Sequence, residues 1–199
     1  VVVTIAARTE TTLDLAAADI AGQTGASVTP VVADLTLPAG RAAALAACPC
    51  PDILINNADG PAPGDFRHWE REDWVRTLAA VMLGPIFMIR DVVDGMIERK
   101  FGRIVNISAR TVKSPQAEGG LSNGARSGLI GFVAGLARQT VRHNVTINNL
   151  LPGIFDSDAQ REHVKGIVKL TGRTYEEVWA ARAQENPAGR YGRPQEAGD

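Results

Sequence analysis

Five short runs of nearly unbroken apolar, largely β-branched residues punctuate the chain, at 1–6, 28–33, 53–56, 103–108 and 145–151. Strands covered on both faces by helices have this composition, because neither face needs a polar residue. The stretches between them, 11–23, 39–47, 69–99 and 121–142, are each long enough for a crossover helix. In the last of these, Leu121, Ala125, Leu129, Phe132, Val133 and Leu136 recur at three- and four-residue spacing and form one apolar stripe. Strand and helix alternating in this way predict right-handed βαβ units and an α/β fold of three layers around a doubly wound parallel sheet. From 156 to 185 the pattern is helical and mixed, and it then passes into the Gly- and Pro-rich NPAGRYGRPQEAGD.

Composition narrows the class. A chain of 199 residues, 45% hydrophobic and 22% charged, has the balance of one globular domain with a sizeable core. The formal net charge of -1 offers no basic field to nucleic acid or to a membrane surface, and neither is expected as a partner. No apolar run approaches the roughly 20 residues that span a bilayer. Cys48 and Cys50 form a lone C-x-C, too few ligands for a zinc site, so no metal is expected and the pair reads as reduced bystanders in a cytoplasmic setting.

One element of a dinucleotide-binding fold has no counterpart among these runs. A dinucleotide fold opens with a strand feeding a G-x-G-x-x-G loop into a helix, whose backbone N–H groups hold a pyrophosphate. No such loop occurs here. Gly22 and Gly25 precede a strand instead of following one, and they read as a helix stop and a turn. Val1 already lies in a strand, so the expectation is that residues 1–199 are one domain forming an internal portion of a longer chain.

Residues 102–132, GRIVNISARTVKSPQAEGGLSNGARSGLIGF, resemble the active-site segment of the short-chain dehydrogenase/reductase family, in particular its 3-oxoacyl-ACP-reductase-like members. The resemblance implies a Rossmann-like sheet whose first strand and glycine-rich loop are not in this sequence. In that family a strand-end Ser is followed thirteen positions later by Tyr-x-x-x-Lys on a helix. Aligned on the GLIGF run, Ser122 takes the Tyr slot, Arg126 the Lys slot and Ala109 the Ser slot, while Met82 stands where the family carries an Asn.

Other blocks follow in the family's order. Val3–Arg8 is similar to the second strand and its turn, where NAD-preferring members carry an acidic residue. Ala7 holds that place and Arg8 follows, and a guanidinium suits the 2′-phosphate of NADP, with NAD still possible. Asp34 and Leu35 resemble the adenine-contacting step, and Asp34 reads equally as a helix cap. Leu54–Asp59 resembles N-N-A-G after the fourth strand, placing Asn57 and Ala58 beside the cofactor and Asp59 where Gly is usual. Asn148–Ser157 resembles N-x-x-x-P-G, which brings Pro152, Gly153 and Ile154 to the nicotinamide and gives Ser157 a cofactor-contacting hydroxyl.

The family's chemistry rests on Tyr as proton donor, Lys lowering its pKa and holding the ribose, and Ser polarising the carbonyl. Ser122 donates a hydrogen bond but is a far weaker acid than Tyr. Arg126 keeps the charge and the ribose-binding donors without exchanging protons. Ser108, one position before the family's Ser, and Lys113, five residues later, are candidate compensators. Ser122 and Asn123 also read as a helix N-cap. Two functions stay open: an NADP(H)-dependent oxidoreductase acting on a carbonyl or alcohol of a small molecule, and a non-catalytic subunit that kept the fold. A homodimer or homotetramer built on the helices at 69–99 and 121–142 is implied by the resemblance.

Overall fold

The computed structural model describes residues 1–198. Five parallel strands are present: β1 (Val2–Ala7), β2 (Ser27–Val32), β3 (Ile53–Asn57), β4 (Gly102–Ile107) and β5 (Val145–Leu150). The helices are α1 (Glu10–Thr24), α2 (Pro38–Ala47), α3 (Arg71–Leu78), α4 (Gly84–Glu98), α5 (Gly120–Thr140), α6 (Asp158–Thr171) and α7 (Tyr175–Gln184). All five apolar runs of the sequence are strands. Each strand is joined to the next by at least one helix, as the Rossmann-like α/β reading requires.

The sheet comes in two pieces, β1–β2 and β3–β4–β5, with no hydrogen bonds between β1 and β3 among the described residues. The facing edges are apolar and open: Val2 is 79% exposed and Ile55 63%.

Several local signals fix the elements. Gly25 ends α1 in the left-handed region at φ 69°, where a side chain would be strained, and its N–H caps the carbonyl of Ala21. Thr174 and Glu177 form a capping box that starts α7. The long helix expected at 69–99 is three segments: α3, a π-helical turn at Ala79–Leu83, and α4. The expected helical stretch at 156–185 is likewise divided, because Gly172 terminates α6 at φ 69°. The N-cap reading of Ser122 and Asn123 is corrected, since α5 begins at Gly120 and Ser122 lies inside its first turn.

The main core gathers Ile89, Val92, Val93 and Met96 of α4, Ile104 of β4, Leu129 and Val133 of α5, and Val145 and Ile147 of β5. Each such side chain contributes about 1.5–3 kcal/mol by leaving water. The buried face of β4 runs Gly102, Ile104, Asn106 and then Ser108, apolar at the start and polar toward its C-terminal end. Asn106, with no exposed surface, accepts from Asn56 Nδ2 at 2.9 Å and donates to Asn149 Oδ1 at 3.1 Å. The strand registers place these three asparagines side by side across β3, β4 and β5, so a ladder of amides crosses the sheet. Two aromatic groups also pack: Trp69 meets Trp74 edge-on at 6.1 Å, and Trp179 stacks between Tyr175 at 5.7 Å and Tyr191 at 4.0 Å. Gly120 exists to seat Trp69, whose ring lies 2.6 Å from where a Cβ would stand.

The ladder carries one prediction. Asn106→Ala strands the amide of Asn56 and the carbonyl of Asn149 and opens a void, at a cost of about 2–4 kcal/mol. Asn149→Ala, at a half-buried position, costs less. Urea midpoints measure both, and equal, small shifts would show that the ladder contributes nothing.

His163, on α6, supplies a second. Burial first, and then the neighbouring charge of Arg182, push its imidazole below the ordinary value of 6.5, while Glu118 and Glu185 pull it back in part. The unfolded chain therefore takes up a proton near 6.5 while the folded one does not. Stability is highest above that pH and falls as the pH drops from 6.5 toward the lower folded value. His163→Gln should flatten the decline of Tm between about pH 7.5 and about pH 5.5. An unchanged slope assigns the decline to other groups.

Candidate functional site

At the C-terminal ends of β3 and β4, two backbone carbonyls lie past the last ladder bonds and meet one guanidinium. Arg126, 9% exposed on α5, donates from Nη1 to the Ile107 carbonyl at 3.0 Å and from Nη2 to the Ala58 carbonyl at 3.3 Å. Its Nε donates to Ser122 Oγ at 3.1 Å, one helical turn earlier. Burial pushes the guanidinium below its ordinary range and Asp59 opposes that, but an Arg keeps its proton in any such setting. Three of its five N–H donors are thus engaged with the protein, and the hydroxyl proton of Ser122 is left free to donate. Gly60 borders the pair, a Cβ there standing 3.6 Å from Ser122 Oγ and 3.7 Å from Arg126 Nη2.

Ser108 is buried, its backbone N–H bonded to the Leu150 carbonyl at 2.8 Å and its Oγ without a hydrogen-bond partner. An orphaned hydroxyl beside the strand ends is a donor waiting for an acceptor. Lys113 ends the short turn Arg110–Val112, its backbone N–H donating to the Arg110 carbonyl at 2.9 Å and its exposed side chain making no hydrogen bond or ion pair among the described residues. Met82 sits in the π-helical turn, packed on the main core, with its sulfur 2.8 Å from where a Cβ at Gly128 would stand.

The residues assigned to a dinucleotide lie along the C-terminal edge of the sheet. Arg8 follows β1 and approaches Asp59 to 3.8 Å, both side chains largely in water, so the pair is weak and Arg8 remains available. Asp34 Oδ1 accepts from the Thr36 hydroxyl at 2.7 Å and the Thr36 N–H at 2.9 Å. Those two bonds, helped by Arg8, hold its carboxyl below the usual range against slight burial. It turns the chain into the next loop, and its second oxygen is uncommitted. The Leu35 carbonyl accepts from buried Arg41 at 3.1 Å, which fixes this loop. Asn57 is exposed at the end of β3. On the other side, the Pro152 carbonyl accepts from Arg110 N–H at 3.0 Å, Gly153 is exposed, Ile154 is buried, and Ser157 caps α6 by accepting from the Gln160 N–H at 3.3 Å. The Ser157 hydroxyl, expected at the cofactor, has this helix cap as its observed bond.

Arg8 and Asp34 follow β1 and β2 in one piece of the sheet, whereas Ala58 and Gly60 follow β3, Gly153 follows β5, and Arg126 of α5 reaches the ends of β3 and β4 in the other. No group of three or more His, Cys, Asp or Glu side chains is placed to hold a metal ion among the described residues.

Sequence reasoning missed the asparagine ladder and a charged cluster joining the loop before α5 to α7. In that cluster Glu185 accepts from Arg110 at 2.7 Å and from Gln116 at 3.1 Å. The partners of each pair lie 69 or more residues apart, so no local pattern announces them.

The family model for short chain dehydrogenases matches residues 1–167. The chain is 36% identical over 109 residues to an acetoacetyl-CoA reductase of Cupriavidus necator, covering 54% of this chain and 44% of that protein. It is 29% identical over 145 residues to the NADPH-dependent reductase BacG of Bacillus subtilis, covering 73% and 56% respectively. It spans about half the length of these relatives. Among solved structures, L-sorbose reductase of Gluconobacter frateurii, in complex with NADPH and L-sorbose, superposes with a TM-score of 0.88 at 23% identity, over 98% of this chain and 76% of that one. With its strand order, its strand-end polar pair and this family match over most of its length, the chain belongs to the short-chain dehydrogenase family.

Proposed function

We propose that this chain carries the dinucleotide-binding and reacting half of an NADP(H)-dependent oxidoreductase that interconverts a carbonyl and an alcohol on a small molecule. The supporting observation is the 3.1 Å contact between Arg126 Nε and Ser122 Oγ at the ends of β3 and β4. An acetoacetyl-CoA reductase and an NADPH-dependent reductase that it resembles support the same reading. In this reading Ser122 and Arg126 stand in the family's Tyr and Lys places. NADP, when bound, supplies or accepts the hydride.

The chain's own residues then divide the remaining work. Ser122, its oxygen already accepting from Arg126, directs its hydroxyl proton at the substrate's carbonyl oxygen. Arg126 places a fixed positive charge behind that oxygen and stabilises the negative charge that develops on it. Neither group is an apt proton source at neutral pH, so the proton comes from Lys113 or from water. The buried hydroxyl of Ser108 is a second donor toward the same oxygen. Arg8 pairs with the 2′-phosphate, Asp34 and Leu35 border the adenine, Asn57 and Ala58 flank the ribose, and Pro152, Gly153, Ile154 and Ser157 line the nicotinamide side. Phe132 and Leu83, large apolar side chains exposed on α5 and the π-helical turn, support a homodimer or homotetramer, which sedimentation would register. Free Cys48 and Cys50 suit a cytoplasmic setting.

One observation favours a second reading. Arg126 spends three donors on the protein itself, which is what a structural clasp does. A non-catalytic, cofactor-binding subunit would keep that clasp after losing the acid.

NADPH binding, followed by its own fluorescence, should be tighter than NADH binding, and Arg8→Asp should reverse the order. Equal affinities in the unsubstituted protein would remove the assignment of Arg8.

Turnover on a panel of ketones and alcohols separates the two readings. If the chain is an oxidoreductase, Ser122→Ala should lower kcat less than about tenfold, whereas Lys113→Ala or Arg126→Gln should lower it toward the 10²-fold expected of a lost proton path or fixed charge. NADPH binding with no turnover of any substrate would establish the non-catalytic reading instead.

A further inference from the structure

Away from the Ser122–Arg126 pair, a cavity of about 300 Å³ opens between α6, α7 and the short turn Ala117–Gly119. Its walls are Ile167 and Leu170 of α6, Val178 and Arg182 of α7, and the carboxylates of Glu118 and Glu185. Arg182 is the anomaly. It is only 7% exposed, it makes no side-chain hydrogen bond and no ion pair among the described residues, and its Nε is buried without a partner. A buried guanidinium with unmet donors is among the costlier arrangements a fold tolerates, because both desolvation and the lost hydrogen bonds count against it.

The nearby carboxylates of Glu185 and Glu118 offset the burial of Arg182 in part through space, but neither accepts a hydrogen bond from it among the described residues. Glu185 is committed to Arg110 and Gln116. Glu118 has no ion pair either, but it is half-buried and still reached by water, so it needs no partner. The unmet demand in this cavity is therefore for an acceptor, and the geometry of a guanidinium fork is matched by a carboxylate. The opposite wall is aliphatic, and Leu170 at its rim is left 50% exposed. The lining carries two guanidiniums, Arg173 and Arg182, against the carboxylates Glu118 and Glu185, so one negative charge on an occupant is met by Arg182 and a second faces the carboxylates.

We propose that this cavity binds a small aliphatic monocarboxylate, its carboxylate on Arg182 and its chain along Ile167, Leu170 and Val178. The site is distinct from the hydride-transfer pair and stands whether or not that reading does. Glu185 joins its floor to Arg110 and Gln116, so an occupant also bears on the loop that leads into α5.

Calorimetric titration of the full chain with hexanoate, hexanamide and adipate tests the proposal, with NADPH affinity measured in parallel. Hexanoate should bind, and hexanamide and adipate should each bind about tenfold or more weakly, the amide through loss of a charge-assisted bond and the diacid through repulsion. Arg182→Gln should weaken hexanoate by a similar factor. Because loss of Arg182 perturbs a buried position, Ala181→Phe, which fills the cavity from an exposed position lining it, provides a second variant, and it should abolish hexanoate binding while NADPH affinity stays unchanged. Equal binding of hexanoate and hexanamide, no hexanoate binding at about 10 mM, or undiminished binding in both variants would overturn the assignment.

Discussion

Where a parallel strand runs past its last ladder bond its carbonyls lose their partners, and away from water they must find other donors or destabilise the fold. At the ends of β3 and β4 the donor is Arg126 for both. A planar guanidinium reaches Ala58 and Ile107 together and still holds Ser122, a span that a single ammonium does not reproduce with the same fixed geometry. These bonds tie α5, the loop after β3 and the Ser122 hydroxyl to one another. Position 126 is consequently tied to the fold as well as to Ser122, since loss of its guanidinium leaves the Ala58 and Ile107 carbonyls without this donor.

Much of this architecture was legible in the chain. β-Branched runs gave all five strands, because strands buried on both faces carry no other pattern, and the spaced glycines at 22 and 25 marked the end of α1 as the left-handed Gly25 confirms. The break between β1 and β3 was not among the expectations, which had a single doubly wound sheet. The π-helical turn at Ala79–Leu83 was not legible either, since one extra residue in a turn leaves the apolar periodicity almost intact. The start of α7 could have been read from Thr174-x-x-Glu177 after Gly172, and the cap at Ser157 from Ser-x-x-Gln160; both are local signals that the mixed composition of this stretch obscured.

The candidate site was legible in its membership more than in its bonding. Sequence order brought Ser122 and Arg126 together because they are four residues apart on one helix. It assigned the guanidinium to a ribose, whereas in the structure its donors first serve backbone carbonyls 19 and 68 residues away. Long-range polar contacts of this sort leave no periodic trace. The same is true of Arg182, whose burial depends on how α6 and α7 close over the loop before α5.

The asparagine ladder bears on how the chain finds its fold. β3, β4 and β5 are short, and the other residues on the face that carries these amides are mostly apolar, so the strands would pair nearly as well when shifted by two residues. Asn56, Asn106 and Asn149 coincide in one alignment only. A two-residue slip would set Asn106 against Leu54 or Ala58 and leave amides buried without partners, each at about 1–3 kcal/mol. The three amides therefore act as an alignment key: they add little net attraction to the correct sheet, and they exclude the neighbouring wrong ones during assembly.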